Sequence, residues 1–578
     1  MGVVYFFSWL RKNFGNHIYK LNKEQNFDNI NVDIDNLLID MNGIFHNSAQ
    51  KIYKYGSYKP QTRLLGKPQK PVSGLSAQIA LFQDVCKVFE NILDIVKPNK
   101  RLVLCIDGPA PLGKQNQQRQ RRFRSSKEAG DDNLVFNSNC ITPGTKFMDY
   151  LSKYIDWYIR KRINEDQKWQ NIEVIFSNEK AQGEGEHKLI NYIRFYGDLS
   201  DTYCIHGMDA DLIMLALGTH IENFYILRED MYDPVNEFFC IDIGNMHSEI
   251  SDYMIWDNSD GEECSKFNEI SSINDFIFMC FMAGNDFLPH MPSIEIVQGG
   301  IEILINIYKS VCKSYGHLTE VVNGNLIFRH ECLCSFLGSI GNDEKFNFET
   351  KLESREFFFD DKILSNSSTQ HDEKWDVDID NYRKEYTKQC FPCDISIEKI
   401  CHDYLEGLQW VLSYYTKGVP NWKWYFPYHY APMASSLAKY VKTFEFKNYG
   451  RTLPSTPFQQ LLCVFPPKSS DLLPEPLNKL LTDSKSPIKK FCPDDFRIDL
   501  SGKRKEWEGI VILPMVDFEL VRTCYLENID KVDEKDLKRN LLGRTFLYKY
   551  SKKYPSFIFK SYYGNIENCY VKNICIDL

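Results

Sequence analysis

The chain has 578 residues, a mass of 67.8 kDa and a formal net charge of −9, with 25% charged and 43% hydrophobic residues. This length excludes a single small domain, and the composition excludes both a disordered chain and a membrane-embedded one. The acidic charge does not by itself indicate a nucleic-acid partner, so such a partner would require a local basic patch, metal ions or both. The N-terminal sequence lacks the features of a signal peptide, which predicts an intracellular protein whose eighteen cysteines are reduced and mostly buried.

Four short apolar segments in the first part of the chain predict β-strands that alternate with helices. They are "NLLIDMNGIF", "RLVLCIDGP", "EVIFSN" and "TYCIHGMDADL", and each leads into a turn and a helix-compatible sequence. This alternation predicts an α/β fold with a mainly parallel sheet flanked by helices. Asp40, Asp107 and Asp209 come at the ends of three of these segments, where sheets of this kind form their sites.

Further acids extend this candidate site. Glu184 and Glu186 lie two residues apart in "QGEGEHKLINYIR", each after a glycine and where a helix begins. Like charges this close repel each other unless a cation lies between them. Any one acid could simply cap a helix or form a turn, but together they predict a divalent cation site. The predicted metal-binding and catalytic set is Asp40, Asp107, Glu184, Glu186, Asp209, Asp211 and Asp286. Oxygen ligands favour Mg²⁺ or Mn²⁺ over zinc, and two such ions suit the hydrolysis of phosphodiesters.

A basic segment, "GKQNQQRQRRFR", follows a few residues after Asp107. Lys114, Gln118, Arg121 and Arg122 have the spacing i, i+4, i+7 and i+8, which places them on one face of a helix. An ordinary solvated helix is the alternative, but this segment contains no acid to pair with its arginines. We therefore expect a phosphate-binding face close to the acidic site.

Residues 346–395 are polar, acidic and irregular, as in "STQHDEKWDVDIDNYRKEY", and predict an exposed linker or insertion. They separate residues 1–345, the predicted core that carries the acidic site, from residues 396–578. The adjoining "QCFPCDISIEKICH" contains three cysteines and a histidine, but their spacing does not match the usual zinc ligands, and reduced thiols are the preferred interpretation.

Aromatic residues are dense in "NWKWYFPYHYAP", which contains Trp422 and Trp424, and His46 lies six residues after Asp40. Aromatic residues at this density usually belong to a core. They can also hold an unpaired base by stacking, whatever the sequence of the strand. Both interpretations stay open at this level.

Together these motifs resemble the XRN family of 5′-to-3′ exoribonucleases. The similarity runs through "LLIDMNGIFH", "IDGPAPLGKQNQQRQRRFRS", "NCITPGTKFM", "GEGEHKLINYIR", "GMDADLIMLAL" and "GNDFLPHMP", and continues in "YLEGLQWVLSYY", "WKWYFPYHYAP", "PFQQLLCVFPPKSSDLLP" and "EWEGIVILP". It implies a Rossmann-like nuclease core related to the PIN and flap-endonuclease superfamily. Residues 1–345 would be the first conserved region of the family, and residues 396–578 the second, packed around the core and closing the substrate pocket.

The resemblance also implies an activity: processive hydrolysis of 5′-monophosphorylated single-stranded RNA to mononucleotides, in RNA degradation or processing. By motif, the seven acids match the family's metal-binding set for two Mg²⁺ ions, for which Mn²⁺ can substitute. The four polar residues on the basic face match its pocket for the 5′ phosphate. His46 matches the residue that stacks on the 5′ base, with either Trp422 or Trp424 as its partner.

Two departures from the family pattern concern the ends of the sequence. Val4 stands where the family has a proline, and the sequence ends soon after the second region, without the C-terminal modules of large cytoplasmic members or the tails of nuclear ones. We expect a monomer without membrane association, in the cytoplasm rather than the nucleus. A structure-specific 5′ nuclease acting on DNA flaps is the alternative enzyme. An inactive RNA-binding scaffold is a further alternative, but such a protein would lack one or more of the acids.

Overall fold

The computed structural model of the protein describes residues 5–22, 25–58, 74–128, 136–230, 237–256, 265–354, 359–372, 374–553 and 555–577. Val4 lies outside these ranges. The strands are β1 (Ile18–Asn22), β2 (Asn36–Asp40), β3 (Arg101–Cys105), β4 (Glu173–Ser177), β5 (Tyr203–His206), β6 (Phe224–Glu229), β7 (Glu237–Asp242), β8 (Thr319–Val322), β9 (Asn325–Phe328), β10 (Ser368–His371), β11 (Lys374–Val377), β12 (Arg497–Asp499), β13 (Ile510–Ile512), β14 (Thr545–Tyr550), β15 (Phe557–Phe559), β16 (Ile566–Cys569) and β17 (Val571–Ile576). The α-helices are α1 (Phe6–Asn13), α2 (Met41–Tyr53), α3 (Leu75–Val96), α4 (Leu112–Glu128), α5 (Lys146–Glu165), α6 (Gln167–Gln170), α7 (Gly185–Tyr196), α8 (Asp211–Leu217), α9 (Ile243–Met254), α10 (Glu269–Cys280), α11 (Gly300–Tyr315), α12 (His330–Ser354), α13 (Lys362–Asn366), α14 (Ile379–Cys390), α15 (Ile397–Thr416), α16 (Ala434–Tyr440), α17 (Pro457–Val464), α18 (Lys479–Thr482), α19 (Phe518–Leu526) and α20 (Glu534–Leu537).

A central sheet has the strand order β1-β7-β6-β5-β2-β3-β4-β14-β17. Its five middle strands, from β6 to β4, are parallel, and antiparallel pairs flank them on both sides. The four apolar segments predicted from the sequence form β2, β3, β4 and β5. The predicted α/β fold with a mainly parallel sheet is therefore confirmed.

Apolar side chains on both faces of the sheet explain why these strands are buried. In β2, Leu38 packs into the cluster on one face, whereas Leu37 and Ile39 pack into the cluster on the other, and all three are fully buried. Continuous apolar strands of this kind form where helices cover both faces of a parallel sheet. Among the described helices, none has both the length and the apolar character needed to span a membrane.

The last part of the chain extends this sheet. β14 pairs antiparallel with β4, with Phe546 opposite Phe176, and β17 pairs with β14. Helix α17 packs against α4, where Phe123 and Phe458 share one apolar cluster. Residues 396–578 therefore pack around the core and complete its sheet, while the boundaries assigned to them stay a prediction.

Residues 346–395 are not irregular over most of their length, contrary to expectation, while their assignment as a linker or insertion stays a prediction. The segment contains the end of α12, then α13, the β10–β11 hairpin and α14. The ring of Tyr382 lies 4.5 Å from that of Phe348, and the hydroxyl of Tyr386 donates to the carbonyl of Ala431 at 2.9 Å. Tyr382 and Tyr386 lie four residues apart, so a polar segment still presents one buried aromatic face, which average composition does not reveal.

Candidate active site

The ends of three neighbouring strands bring predicted acids to one edge of the sheet. β2 ends at Asp40, Asp107 follows β3, and Asp209 lies between β5 and α8. These strands are adjacent and parallel, so their carboxyl ends meet at the same edge. The carboxylate of Asp40 caps α2 by accepting from the amide of Asn42 at 3.4 Å, and that of Asp107 accepts from the amide of Gly185 at 2.7 Å.

Two glycines allow α7 to begin against this edge. Gly183 has a φ of 98°, a left-handed conformation that glycine adopts without steric cost. A Cβ atom on Gly185 would lie only 2.6 Å from Oδ1 of Asp40, so any side chain there would displace this carboxylate. Glu184 is the N-cap residue of α7 and Glu186 lies in its first turn, and both side chains are buried. The glycines thus place two carboxylates against the acids that follow the strands.

Lys114 and Tyr414 bind the acidic cluster from two other helices. The ammonium of Lys114, on α4, forms ion pairs with Glu184 and with Asp286, the latter at 2.8 Å. The hydroxyl of Tyr414, on α15, donates to Oε1 of Glu184 at 2.6 Å. In this structure Lys114 therefore contacts the acids directly, and its predicted role at a 5′ phosphate stays a prediction.

Burial dominates the electrostatics of the cluster. It raises the pKa of Asp40, helped by the nearby Asp107, and raises the pKa of Glu186, helped by Asp211. Burial also raises the pKa of Glu184 to about 7 and that of Asp211 to about 6. These carboxyl groups hold protons readily because the site lacks enough positive charge to balance them.

The pKa of Asp286 is shifted in the opposite direction. Burial acts to raise its pKa, but the ion pair with Lys114 outweighs this effect and holds the pKa below its usual range. The same pair, together with Glu184, holds the pKa of Lys114 above its usual value despite burial. Lys114 therefore supplies fixed positive charge on one side of the site.

The donor set fits a divalent cation. Glu186, Asp209 and Asp211 each offer an oxygen, and these atoms lie within 4.8 Å of one another. Oε2 of Glu186 and Oδ1 of Asp211 are buried, and neither has a hydrogen-bond partner in the part of the chain that the structure describes. Buried carboxylate oxygens without partners are costly, and a hard cation such as Mg²⁺ or Mn²⁺ would satisfy them.

The predicted basic face lies on α4 and consists of Lys114, Gln118, Arg121 and Arg122. The surroundings of these four side chains differ. Gln118 is buried and accepts from the amide of Gln460, on α17, at 3.2 Å. Arg122 donates to the hydroxyl of Thr142 at 2.9 Å, and burial, with repulsion from Arg121, lowers its pKa to about 9. Arg121 is exposed and lines a cavity of about 530 Å³. The face is thus enclosed at one end and open at Arg121.

The three aromatic candidates lie in different environments. His46 is half-buried on α2, and burial, with Arg121 nearby, lowers its pKa to about 4. Trp424 is buried and stacks on Trp410 with ring centroids 4.8 Å apart. Trp422 keeps some exposed surface, and its carbonyl accepts from the amide at the start of α4. One face of Trp424 therefore belongs to the core, while the stacking roles stay a prediction.

Sequence reasoning missed two residues at the site. His187 directly follows Glu186, and its ring forms a second group of close ligand atoms with Glu184 and Glu186. It also stacks on Tyr414, with centroids 3.6 Å apart. His187 could have been noticed in the sequence because it follows two candidate acids. No local sequence signal marks Tyr414, because only the folded chain brings it into contact with Glu184.

Comparison with known proteins supports the same family. The model of the XRN 5′-3′ exonuclease N-terminus matches residues 1–230, and that of the Xrn1 helical domain matches residues 266–390 and 365–576. The 5′-3′ exoribonuclease 2 homolog of Drosophila melanogaster is 31% identical, over 95% of this chain and 73% of that protein. The 5′-3′ exoribonuclease 2 of Gallus gallus is 32% identical, over 95% and 72%.

Other similarities are more partial. The 5′-3′ exoribonuclease 1 of Homo sapiens is 29% identical across 100% of this chain but 37% of its own length. The catalytic core of Rad2 in complex with DNA substrate covers 67% of this chain and 95% of the Rad2 chain, at 14% identity and a TM-score of 0.30, which is too low to support an argument. The family models and the two relatives above 30% identity are sufficient: this chain belongs to the XRN family.

Proposed function

We propose that this protein is a 5′-to-3′ exoribonuclease that hydrolyses 5′-monophosphorylated single-stranded RNA processively to mononucleotides. The observation that carries the proposal is the largely buried carboxylate cluster at the sheet edge. Two of its buried oxygens have no hydrogen-bond partner among the described residues, and the cluster contacts Lys114 on the basic face of α4. The relatives named 5′-3′ exoribonucleases support the same assignment.

The acidic cluster would hold two Mg²⁺ ions, with Mn²⁺ able to substitute. Glu186, Asp209 and Asp211 would form one side of this centre, and Glu184 with the acids that end β2 and β3 the other. Such ions activate water and stabilise the leaving oxygen. The chain's own contribution is to orient these carboxylates, with Glu184, Glu186 and Asp211 buried and Tyr414 donating to Glu184.

The basic face of α4 would bind the 5′ phosphate of the RNA. Arg121 and Arg122 offer guanidinium donors, Gln118 an amide, and Lys114 an ammonium that already contacts the acids. Charge-assisted hydrogen bonds of this kind suit one terminal phosphate. Anchoring the 5′ end sets the direction of cleavage, because each cut exposes a new 5′ phosphate for the same position.

The 5′ base would stack between His46 and one of the two indoles, Trp422 or Trp424. Burial lowers the pKa of His46 to about 4, so its ring is neutral at physiological pH and suited to stacking. Stacking does not read sequence, which fits an enzyme that degrades one nucleotide after another. The second region, which packs on α4, would close this pocket around a single strand.

The proposal is tested by a time course on matched RNAs with 5′ monophosphate, triphosphate or hydroxyl ends, with and without a chelator. We expect hydrolysis only of the monophosphate RNA, and none with chelator. Arg121→Ala should lose the preference for the monophosphate, whereas Lys127→Ala, which removes an exposed lysine at the end of the same helix, should not. Equal wild-type rates on all three ends would overturn the phosphate assignment.

The second candidate is a structure-specific nuclease for DNA flaps, since the metal chemistry is the same. Cleavage of 5′-labelled flap DNA in preference to single-stranded RNA would favour it. A monomer in the cytoplasm also belongs to the proposal; sedimentation of the purified chain and microscopy of the tagged protein test these two points.

A further inference from the structure

A second cavity, of about 720 Å³, lies behind Glu184 between α7 and α15. Tyr414 forms part of its wall and donates to Glu184 at 2.6 Å, so the same side chain contacts both the cavity and the acidic cluster. His187 also lines the cavity and lies with Glu184 in a group of close ligand atoms. Trp422, next to the start of α4, forms another part of the wall.

The charge of this cavity is unusual for an acidic chain. Its lining includes Lys188, Lys417 and Lys447, whereas no aspartate or glutamate is among the described residues that line it. The chain as a whole carries a net charge of −9. By contrast, a cavity of about 740 Å³ elsewhere is lined by Asp149 and Glu179 among others.

Among these lysines, Lys417 keeps donors for a ligand. The ammonium of Lys188 is buried and donates to the carbonyls of Ile106 and Asn178, at 2.7 and 3.0 Å, which follow β3 and β4. Lys417 is exposed and donates to the neutral amide of Asn325 at 2.8 Å, so no carboxylate neutralises it there. Lys447, by contrast, pairs with Glu406. The cavity therefore carries positive charge that an anion would balance.

Buried polar atoms and aromatic faces complete the lining. Nδ1 of His187 and Oε1 of Gln409 are buried without a hydrogen-bond partner within the described ranges. Phe446 and Tyr449 are aromatic residues of the same lining. Unsatisfied buried polar atoms are uncommon, and a ligand with its own donors and acceptors would satisfy them.

We propose that this cavity binds a nucleoside 5′-monophosphate, the class of compound that each cut releases, at a site separate from the acidic cluster. The inference rests on the proposed function. The volume lies in the range of small-molecule sites, the aromatic residues suit a base, and Lys417 suits a phosphate. Tyr414, which lines the cavity and donates to Glu184, would couple a bound nucleotide to the acidic cluster.

The first test is calorimetric titration of the full chain with AMP in the presence of EDTA, which removes metal-dependent binding. Lys417→Ala should weaken AMP binding about tenfold, the loss of one charge-assisted contact. Gln409→Leu should weaken it as well. Lys423→Ala is the matched control, because Lys423 is an exposed lysine nearby that pairs with Glu519 outside the cavity, and it should leave AMP binding unchanged.

The same titration is repeated with adenosine and with inorganic phosphate in place of AMP. Each should bind more weakly than AMP, because each satisfies only part of the lining. Absence of AMP binding at millimolar concentration would overturn the inference, as would equal AMP affinity of wild type, Lys417→Ala and Gln409→Leu.

The second test follows RNA degradation with added AMP. We expect AMP to inhibit the wild type, and inhibition of Lys417→Ala to require about tenfold more AMP, matching the shift in binding. Inhibition that is identical in both proteins would overturn the coupling between this cavity and the active site. A chain that binds AMP in a Lys417-dependent way but hydrolyses no RNA would refute the proposed function and, with it, the role of the nucleotide as product, while leaving a nucleotide-binding cavity.

Discussion

Tyr414→Phe is the change that tests how the second region supports the metal centre. It removes one hydroxyl and leaves the ring, which stacks on His187, in place. The lost hydrogen bond is short, 2.6 Å, buried, and made to a carboxylate. Bonds to charged groups contribute about 1.5–3 kcal/mol, and their loss leaves a buried oxygen unsatisfied.

The structure sets the size of the expected effect. Glu184 keeps its ion pair with Lys114, so the carboxylate stays in the site but loses the donor that fixes its orientation. At about 1.4 kcal/mol for each factor of ten, affinity for Mn²⁺ should fall about 10–100-fold, in the range found for groups that orient metal ligands. The activity of the variant should therefore recover at high metal concentration.

Calorimetric titration with Mn²⁺ and metal titration of RNA hydrolysis measure this effect independently. Tyr404→Phe is the matched control, because Tyr404 is a buried tyrosine on the same helix whose hydroxyl donates to the carbonyl of Pro289 at 3.0 Å. It should lower the melting temperature without shifting either titration. If Tyr414→Phe bound Mn²⁺ as tightly as the wild type, the orienting role of Tyr414 would be refuted.

Three further predictions concern the acids and the stacking residue. Asp209→Ala should lower the rate of hydrolysis about a thousandfold, a loss of several kcal/mol of transition-state stabilisation. The variant should stay folded, because Asp209 is exposed. Near-normal turnover in Mg²⁺ would remove Asp209 from the mechanism. His46→Ala should weaken RNA binding by about 1–3 kcal/mol on all sequences alike, measured with homopolymer RNAs, and a changed base preference would contradict stacking. The third concerns pH: burial raises the folded-state pKa of Glu184 to about 7 from an ordinary 4.5, so at this group the folded metal-free chain holds more protons than the unfolded one between these values. The contribution of Glu184 to the melting temperature in EDTA, measured as the difference between wild type and Glu184→Gln, should therefore fall as pH rises through this window, and Mg²⁺ should reduce the trend by replacing the proton; a difference that rose with pH in EDTA would contradict the assignment.

The sequence by itself determined the parts of this protein that depend on local pattern. Apolar segments followed by turns predicted β2 to β5, and the acids at their ends could be placed at one sheet edge because parallel strands end on the same side. The spacing of Glu184 and Glu186, and the helical spacing of the basic face, depend on only a few residues of chain. Patterns of that length follow from the fixed periods of strands and helices, so they can be recognised in the sequence alone.

Contacts between distant segments were decided only by the tertiary structure. The bond from Tyr414 to Glu184 joins residues 230 positions apart, and the ion pair of Lys114 with Asp286 joins residues 172 apart. The pairing of β14 with β4 and the buried face of α14 are of the same kind. Such contacts depend on which surfaces meet when helices pack on the sheet, and composition or spacing within one segment carries no record of its partner. The charge of the cavity behind Glu184 likewise exists only once lysines from α7, from the end of α15 and from the segment before α17 are brought together.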